Sequence, residues 1–384
     1  MQLPARLRNI SAVLTTITIA ACTGPTDQPA GPSLARGPGS VKSVAVSPSS
    51  ATLQPGQTLQ LAATVKPPNT GATVAWSSSN SAVAAVSSTG LVTAVAEGFA
   101  TITATAGSKS GSSAITVSTP PSGVVFVGAG DIASCSSTGD EATATLLDGI
   151  PGDVFTLGDN VYENGTATEF SNCYGPSWGR HLSRTHPAAG NHDYNTPGAT
   201  GYYGYFGAAA GDPSTGYYSY DLGGWHLIVL NSNLSMSAGS AQEQWLRADL
   251  AAHQSAGCTL AYWHHPRFSS GSGHGNEPAT QPLWQALYDY NADLVLGGHD
   301  HDYERFAPQT PAGAADPVRG IREFVVGTGG RSHYVLGTLQ PNSEVFNGTT
   351  FGVLKLTLSS GGYAWEFVPV AGSGFTDSGS GSCH

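Results

Sequence analysis

The sequence has few charged residues, and its basic residues are fewer than its acidic residues. Asp, Glu, Lys and Arg make up 11% of its 384 residues, and 26 acidic against 15 basic side chains give a net charge of -11. Proteins that bind nucleic acid or an anionic membrane through basic patches have the opposite balance. Hydrophobic residues make up an ordinary 40% of the chain, so the composition allows a full-sized core.

The N-terminus lacks an apolar run long enough to span a bilayer. It reads "MQLPARLRNISAVLTTITIAACTG", with arginines at 6 and 8, an apolar stretch over residues 12–21 and small residues before Cys22. This pattern predicts an export signal over residues 1–22. "IAAC" resembles a bacterial lipobox, which would make Cys22 the lipid-bearing residue of an envelope lipoprotein. The alternative is an ordinary secretory signal that is cleaved nearby, which would give a secreted protein.

Cysteine is scarce, with 5 residues and no CxxC pair, which disfavours a thiolate metal site. Once Cys22 is assigned to the signal, an even number of cysteines remains. In an exported chain this predicts two disulfides, because the compartment outside the cytoplasm is oxidising. Four cysteines allow three pairings and the sequence does not choose among them. Our working hypothesis joins Cys135 to Cys173 and Cys258 to Cys383.

Two segments with different sequence patterns precede residue 124. Residues 23–40 are dense in Gly and Pro and predict a flexible linker. Residues 41–118 contain short alternating apolar runs separated by turn residues, which indicates a small antiparallel sandwich. The stretch "WSSSNSAVAAVSSTGLVTAVAEGFATITAT" resembles a bacterial immunoglobulin-like domain of group 2. It has no His or Cys, so we expect a spacer, with surface adhesion as the alternative; residues 119–123 would form a hinge.

From residue 124 onward, apolar strands alternate with helical segments. This order predicts an α/β domain with a largely buried sheet over residues 124–372. Ser240 and Glu243 stand in capping-box register, which marks the start of one helix. "GVLKLTLSSGGYAWEFVPV" reads as a closing β-hairpin, and residues 373–384 read as a loose tail.

Polar residues of metal-ligand type follow the apolar strands of this domain. They stand in five clusters: Asp131; Asp159 and Tyr162; Asn191, His192 and Asp193; His264; His299 and His301. In open α/β sheets, ligands bind at the carboxyl ends of strands, so the five clusters should converge. In extended backbone, residues two apart face the same side, so His299 and His301 can face one target. The pattern predicts a metal site.

The order of the clusters resembles the calcineurin-like metallophosphoesterase superfamily. Tyr162, three residues after the second aspartate, makes the chain similar to purple acid phosphatases. The family's blocks stand here as "DIA", "GDNVY", "GNHD", "AYWH" and "GHDH", within residues 124 to about 335. Ala133 and Ala261 replace the usual glycine and valine, but neither position supplies a ligand. The resemblance implies a four-layer αββα β-sandwich with flanking helices, preceded by the small all-β immunoglobulin-like sandwich.

The resemblance also implies two metal ions. The first would be held by Asp131, Asp159, Tyr162 and His301. The second would be held by Asp159, Asn191, His264 and His299, with Asp159 bridging. Carboxylate, phenolate and imidazole suit Fe(III) at the first site, whereas carboxylate, amide and two imidazoles suit Zn, Mn or Fe(II) at the second.

Three further side chains are candidates for catalysis. His192 would bind a phosphoryl oxygen or protonate the leaving group, with Asp193 orienting its ring. His274 lies on a Gly/Ser-rich loop where the resembling enzymes carry a substrate-binding histidine; a solvated loop histidine is the alternative. His265 should point away from His264 and make a supporting hydrogen bond.

The implied activity is hydrolysis of a small phosphate monoester by metal-bound hydroxide, as in acid phosphatases. A phosphodiesterase or nucleotidase with the same metal pair is the first alternative. A non-catalytic surface protein, in which the immunoglobulin-like domain does the binding, is the second. Asp300, between the two histidines of "GHDH", should face away from the metals, and its replacement should cost far less activity than that of His299 or His301.

Overall fold

The computed structural model describes residues 40–68, 71–118 and 123–384, and the chain divides into two compact units at Ser118/Thr119. The expected signal peptide, lipobox and nearly all of the linker lie outside the described residues, as does most of the hinge. No helix in the described ranges is long and apolar enough to cross a membrane.

The first unit contains short strands. Their bounds are β1 (Ser43–Ser47), β2 (Ser50–Leu53), β3 (Thr58–Gln60), β4 (Ala62–Lys66), β5 (Ala75–Ser78), β6 (Ala84–Val86), β7 (Leu91–Ala94), β8 (Gly98–Ala106) and β9 (Lys109–Val117). A four-stranded sheet, β2-β9-β8-β5, and a three-stranded sheet, β3-β7-β6, enclose a core that contains Ile102, Ile115 and Val92. The predicted sandwich is confirmed, with one parallel pair, β2 and β9.

The second unit alternates strands with helices. Its strands are β10 (Val124–Ala129), β11 (Ala133–Ser134), β12 (Asp153–Leu157), β13 (Val161–Tyr162), β14 (Thr185–Ala188), β15 (Tyr218–Leu222), β16 (Trp225–Val229), β17 (Cys258–Tyr262), β18 (Leu294–Gly297), β19 (Tyr303–Phe306), β20 (Arg322–Val326), β21 (Ser343–Asn347), β22 (Gly352–Ser359), β23 (Gly362–Pro369) and β24 (Ser378–Ser382). Its helices are α1 (Gly139–Gly149), α2 (Ala167–Glu169), α3 (Asn191–Asn195), α4 (Thr200–Phe206), α5 (Ala241–Ala252) and α6 (Gln281–Asp289).

Two large mixed sheets form the centre of this unit. The six-stranded sheet has the order β14-β12-β10-β22-β23-β24, and the seven-stranded sheet has the order β15-β16-β17-β18-β20-β19-β21. Strands β10, β12 and β14 are parallel in the first sheet, and β16, β17, β18 and β20 are parallel in the second. Their runs are almost continuously apolar because both faces of each sheet are covered.

The two sheets pack face to face, with helices on the outside. Phe126 of the six-stranded sheet lies 5.9 Å from Tyr262 of the seven-stranded sheet, measured between ring centroids. Helices α5 and α6 cover the outer face of the seven-stranded sheet through Leu246 and Trp284, and α1 lies against β22. The predicted αββα layering is confirmed. Ser240 accepts the Glu243 amide proton at 3.3 Å, so the predicted start of α5 is also confirmed.

Both disulfides of the working hypothesis are present. Cys135 is bonded to Cys173 with Cα atoms 5.1 Å apart, and Cys258 to Cys383 with Cα atoms 5.6 Å apart. The first links the loop after β11 to the helical segment Phe170–Tyr174 after α2. The second ties the end of the chain to the start of β17.

The predicted loose tail is wrong. Strand β24 pairs antiparallel with β23, and the Asp377 carboxylate accepts hydrogen bonds from Tyr303 (2.7 Å), Arg305 (2.7 Å) and Trp365 (3.1 Å). The tail looked loose because it has little apolar sequence, yet polar bonds and a disulfide hold it. Its glycines are needed as well: a Cβ at Gly381 would lie 2.6 Å from the Tyr363 ring.

Asp377→Ala should lower the free energy of unfolding by about 2 kcal/mol, because it leaves the partly buried Arg305 guanidinium with one carboxylate partner fewer. Urea unfolding of the full chain measures this. Glu366→Ala, which removes the exposed pair between Lys355 and Glu366, is the matched control and should cost less than about 1 kcal/mol. Equal losses for the two variants would show that Asp377 does not anchor the tail.

Candidate metal centre

The loops that follow five parallel strands converge at one edge of the two sheets. These loops come after β10, β12, β14, β17 and β18, and they carry all the predicted ligands: Asp131, Asp159, Tyr162, Asn191, His264, His299 and His301. The structure therefore brings the complete set together, as the strand-end rule predicts. The roles of these side chains as ligands remain predictions.

Three of these residues have left-handed backbone conformations. Asp131, Asp159 and His299 have φ values of 59°, 48° and 70°. Such conformations are uncommon for residues other than glycine and cluster at functional sites, where surrounding bonds hold them. The His299 amide donates to Asp131 Oδ2 at 2.8 Å, which joins two of the loops.

Two glycines allow the loops to approach one another. A Cβ at Gly190 would lie 2.8 Å from the Asp159 carboxyl carbon, and one at Gly298 would lie 2.8 Å from Asp131 Oδ2. Both carboxylates occupy the space that a larger residue would need. Substitution at either glycine would thus move a candidate ligand.

The first group of candidate ligands surrounds the phenol of Tyr162. Its Oη lies 2.7 Å from Asp131 Oδ1, 3.0 Å from Asp159 Oδ2 and 3.2 Å from His301 Nε2. The four side chains are all buried. One hydroxyl proton faces three neighbouring acceptor-type atoms, so this group has more lone pairs than protons.

The second group lies on the other side of Asp159. His264 Nε2 is 3.0 Å from Asn191 Oδ1, 3.4 Å from Asp159 Oδ2 and 3.1 Å from His299 Nδ1. Asp159 Oδ2 therefore contacts both groups, while its Oδ1 accepts the His192 amide proton at 2.7 Å. This is the position that a bridging carboxylate requires.

Hydrogen bonds on the far side of two imidazoles aim them at the site. His264 Nδ1 donates to the Leu157 carbonyl at 2.7 Å, and His301 Nδ1 is bonded to Ser332 Oγ at 2.6 Å. In both rings Nε2 therefore points into the site. Metal-ligating histidines in proteins are oriented in this way.

Burial and neighbouring charges shift the pKa values of three candidate ligands. Burial, followed by the charges of Asp131 and Asp159, raises the pKa of Tyr162 well above its usual value. Burial acts to lower the pKa of His264, but the Asp159 carboxylate outweighs it and raises that pKa to about 9. Burial and the neighbouring His264 charge lower the pKa of His299. Tyr162 and His264 therefore keep protons, whereas His299 keeps a free lone pair. A bound metal ion would displace these protons, which fits the donor set.

A cavity of about 230 Å³ opens beside the two groups. His192 lines it, with its ring 4.4 Å from that of Tyr162 and its Nδ1 2.7 Å from the Glu163 carbonyl oxygen. His274 lines it too, stacked at 3.8 Å on His299. Both predicted catalytic histidines therefore reach the site.

The predicted role of Asp193 is wrong. Its Oδ2 accepts from the Gly190 amide at 2.9 Å and from Asn160 Nδ2 at 2.9 Å, and it does not contact His192. Successive residues of α3 point about 100° apart, so Asp193 faces inward while His192 faces the cavity. The Glu163 carbonyl orients His192 instead.

The prediction for His265 is correct only in part. Its Nδ1 is bonded to Ser232 Oγ at 2.7 Å, which is a supporting bond. The ring does not point away, however, because it lies 4.3 Å from the His299 ring. Strand β17 ends at Tyr262, so the alternation of extended backbone no longer applies at residue 265.

Two protein families match the two units of the chain. Residues 125–303 match the calcineurin-like phosphoesterase family, and residues 40–117 match the bacterial Ig-like domain (group 2). The chain joins a bacterial Ig-like domain to a calcineurin-like phosphoesterase domain. The resemblance inferred from the sequence is thus confirmed.

Among curated proteins, the similar ones include purple acid phosphatases of Arabidopsis thaliana. Purple acid phosphatase 15 is 35% identical over 100 residues, which cover 25% of this chain and 19% of that protein. Purple acid phosphatase 23 is 30% identical over 225 residues, 48% of each chain. Probable inactive purple acid phosphatase 1 is 26% identical over 248 residues, 53% of this chain and 38% of that one. The chain thus spans at most about half the length of these relatives.

Solved structures support the fold. The purple acid phosphatase PPD1 from yellow lupin seeds matches with a TM-score of 0.56 at 17% identity, covering 88% of this chain and 69% of that one. GAP50, the anchor in the inner membrane complex of Plasmodium, matches with a TM-score of 0.52 at 15% identity, covering 68% of this chain and 89% of that one.

One further loop of the phosphoesterase domain reaches the cavity and was not predicted from the sequence. Arg331, Ser332 and Tyr334 line the cavity and follow β20, which is parallel to β18 and ends at the same edge. The Tyr334 ring stacks on His301 at 4.2 Å. The sequence feature that could have indicated this loop is "GTGGRSHY", a Gly-rich stretch after an apolar strand. It was overlooked because this stretch has no aspartate at the strand end.

The structure also changes the expectation for Asp300. Its side chain faces away from the metal groups, but it is fully buried and holds the loop that carries His274. Its carboxylate accepts from the amides of His274 (2.9 Å) and Gly275 (2.8 Å) and from Ser269 Oγ (2.5 Å). The predicted smaller loss of activity on replacement of Asp300 stays a prediction, but the structure gives this carboxylate a supporting role in the loop.

Asp300→Asn should loosen this loop, because the amide NH₂ replaces an acceptor that receives hydrogen bonds. We expect the backbone amides of residues 269–275 to exchange hydrogen faster by about 10-fold or more, equivalent to roughly 1.4 kcal/mol of lost protection. Asp212→Asn, at an exposed turn where the carboxylate accepts from the Ser214 amide, is the matched control and should leave residues 269–275 unchanged. Unaltered exchange in Asp300→Asn would show that the carboxylate does not hold this loop.

Proposed function

We propose that the chain is a phosphoesterase that uses two metal ions and hydrolyses small phosphate monoesters. The observation that carries this proposal is the position of Asp159 Oδ2, 3.0 Å from Tyr162 Oη and 3.4 Å from His264 Nε2. A single carboxylate oxygen that faces two complete ligand groups suits two neighbouring metals. The family match supports the reaction class.

The donor atoms favour different metals in the two groups. Two carboxylates, a phenol and an imidazole suit Fe(III), whereas a carboxylate, an amide and two imidazoles suit Zn, Mn or Fe(II). Bound metals of this kind orient a phosphate ester, activate water and offset charge that develops on oxygen. All the cysteines of the described residues form disulfides, and so none offers a thiolate nucleophile there.

His192 is placed to act on the leaving group. The Glu163 carbonyl holds its Nδ1–H, so Nε2 is the nitrogen that remains for the substrate, 4.0 Å from Asp159 Oδ2. A water molecule attacks phosphorus and loses a proton, the phosphorus–oxygen bond to the alcohol breaks, Nε2 gives its proton to the departing oxygen, and the proton lost by the water restores Nε2–H. Proton donation of this kind contributes typically about 100- to 10,000-fold to rate.

The cavity favours monoesters. At about 230 Å³ it is smaller than the pockets of about 300 Å³ or more that enclose drug-sized ligands. His274 extends the wall beside His299 and can hold a phosphoryl oxygen. A diester would need space for a second substituent. Equal or higher kcat/KM for bis(4-nitrophenyl) phosphate than for 4-nitrophenyl phosphate would favour the phosphodiesterase alternative.

The metal pair can be tested without any substrate. Elemental analysis of the purified full chain should find two metal ions per chain, and Asp159→Ala should lose both because it removes the shared ligand. Tyr162→Phe should lose the visible absorption that a tyrosinate gives when iron is bound.

His253→Gln is the matched control for the metal experiment. His253 belongs to a separate group with His226 and Asp249 whose nitrogen and oxygen atoms also lie close together. Metal content and colour should be unchanged in this variant. Full metal content in Asp159→Ala, or full activity in Asp159→Ala and His301→Ala, would refute the binuclear proposal and favour a non-catalytic surface protein.

The role of His192 predicts a dependence on the leaving group. His192→Asn should reduce kcat for an alkyl phosphate by about 100-fold or more and reduce it much less for 4-nitrophenyl phosphate, because nitrophenolate departs without a proton. His186→Asn, which changes a histidine stacked on Tyr220 away from the cavity, should affect neither substrate. Equal losses for both substrates in His192→Asn would mean that the ring binds the phosphoryl group instead.

We further propose that the protein acts outside the cytoplasm. The two disulfides support this location, because such bonds form and persist in oxidising compartments. Fractionation of the source cells with and without a Cys22→Ser change would test the lipid anchor, whose loss should move the protein from the membrane to the soluble exported fraction.

A further inference from the structure

Arg331 brings a permanent positive charge to the cavity. Among the described residues that line the cavity, it is the one arginine, and there is no lysine. Histidines provide positive charge there only when protonated, whereas a guanidinium stays charged at every relevant pH. In a chain with a net charge of -11, a cation placed beside the reacting centre needs an explanation.

The backbone of this loop is fixed to the metal centre. The Arg331 amide donates to the Asp131 carbonyl at 3.0 Å, and the Tyr334 amide donates to the His301 carbonyl at 2.9 Å. Between them, Ser332 Oγ is bonded to His301 Nδ1 at 2.6 Å. The backbone from which the Arg331 side chain extends is therefore held against the loops that carry the candidate ligands.

The guanidinium lies at the mouth of the cavity. Its Cζ is 5.0 Å from the centre of the Tyr162 ring, and its Nη2 is 2.5 Å from Glu163 Oε1. The Glu163 side chain is 55% exposed and that of Arg331 is 27% exposed, so the pair points outward from the buried ligands. The group that meets Arg331 would thus lie beyond the reacting phosphoryl group.

Glu163 can give way to a ligand. Ion pairs that face solvent contribute little to stability, because water and salt screen them. A phosphate or carboxylate bonded by two guanidinium N–H groups makes a stronger, directional contact. A substrate anion can therefore take the place of Glu163 on Arg331 at small cost.

We propose that Arg331 forms a second anion subsite, which selects phosphate esters that carry a further carboxylate or phosphate group close to the reacting phosphoryl group. This rests on the proposed phosphoesterase function and specifies its substrate class. The cavity of about 230 Å³ requires the two anionic groups to be near each other in a compact molecule.

Three phosphate esters with the same phenyl group test whether the enzyme prefers substrates with a second anion. Phenyl phosphate has no second anion, 3-carboxyphenyl phosphate adds a carboxylate, and 3-phosphonophenyl phosphate adds a phosphonate that is not hydrolysed. The metal-loaded full chain should hydrolyse at least one of the two anionic esters with a kcat/KM about 10-fold above that of phenyl phosphate, and the better one identifies the preferred anion. Wild-type protein that hydrolyses phenyl phosphate equally well or better overturns the subsite.

The ratio of kcat/KM for the preferred ester with a second anion to kcat/KM for phenyl phosphate should depend on the charge at the cavity mouth. Arg331→Gln should reduce the ratio to about 1, whereas Glu163→Gln should raise it above the wild-type value because the competing carboxylate is gone. Arg319→Gln makes the same change of charge at an arginine bonded to Asn291 and should keep the wild-type ratio. An equal loss for all three esters in Arg331→Gln would assign the guanidinium to the reacting phosphoryl group and overturn the subsite.

Binding of unreactive probes separates this proposal from the proposed function. Phosphonoacetate carries a carboxylate that methylphosphonate lacks, and calorimetry should show phosphonoacetate binding about 10-fold tighter to the wild type and with no advantage in Arg331→Gln. Should this difference appear while no ester is hydrolysed, the phosphoesterase proposal fails and the subsite stands. Hydrolysis of phenyl phosphate without any difference between the probes leaves the phosphoesterase proposal standing and refutes the subsite.

Discussion

The carboxylate of Asp159 is the group on which the arrangement of the site depends. One of its oxygens receives the His192 amide proton, and the other faces both Tyr162 and His264. Its backbone is left-handed, and Gly190 leaves the space that its side chain occupies. Any shift of this residue would separate the two ligand groups or remove the oxygen that they share.

The two sheets make this position rigid. The parallel strands are buried on both faces, so their carboxyl ends have little freedom to move. Bonds between loops then connect the ends: Asp131 N–H donates to the Gly158 carbonyl at 3.1 Å, and Gly298 N–H donates to the His264 carbonyl at 2.9 Å. Ligands that are held before a metal binds need little reorganisation when it arrives. The same framework holds the backbone of Arg331, which lies in the loop after β20, the next parallel strand of the seven-stranded sheet.

Much of the fold and the site could be read from the sequence because both depend on local patterns. Apolar runs mark strands, and polar residues at the ends of those runs mark the edge where ligands meet, which located Asp131 and His264. The failures involve contacts between distant segments. Asp193 was assigned to its neighbour His192, whereas its real partner is Asn160, and the tail was expected to be loose although Asp377 binds Arg305.

The sequence by itself determined the two-domain organisation, the α/β class of the second domain and the residue types that converge at the strand ends. Periodicity and spacing carry that information because each strand buries its own side chains. Only the tertiary structure decided that Asp159 faces both groups, that Asp300 holds the His274 loop and that Arg331 stands at the cavity mouth. These facts depend on which loops become neighbours in space, and a linear pattern does not specify the direction of a side chain once its strand has ended.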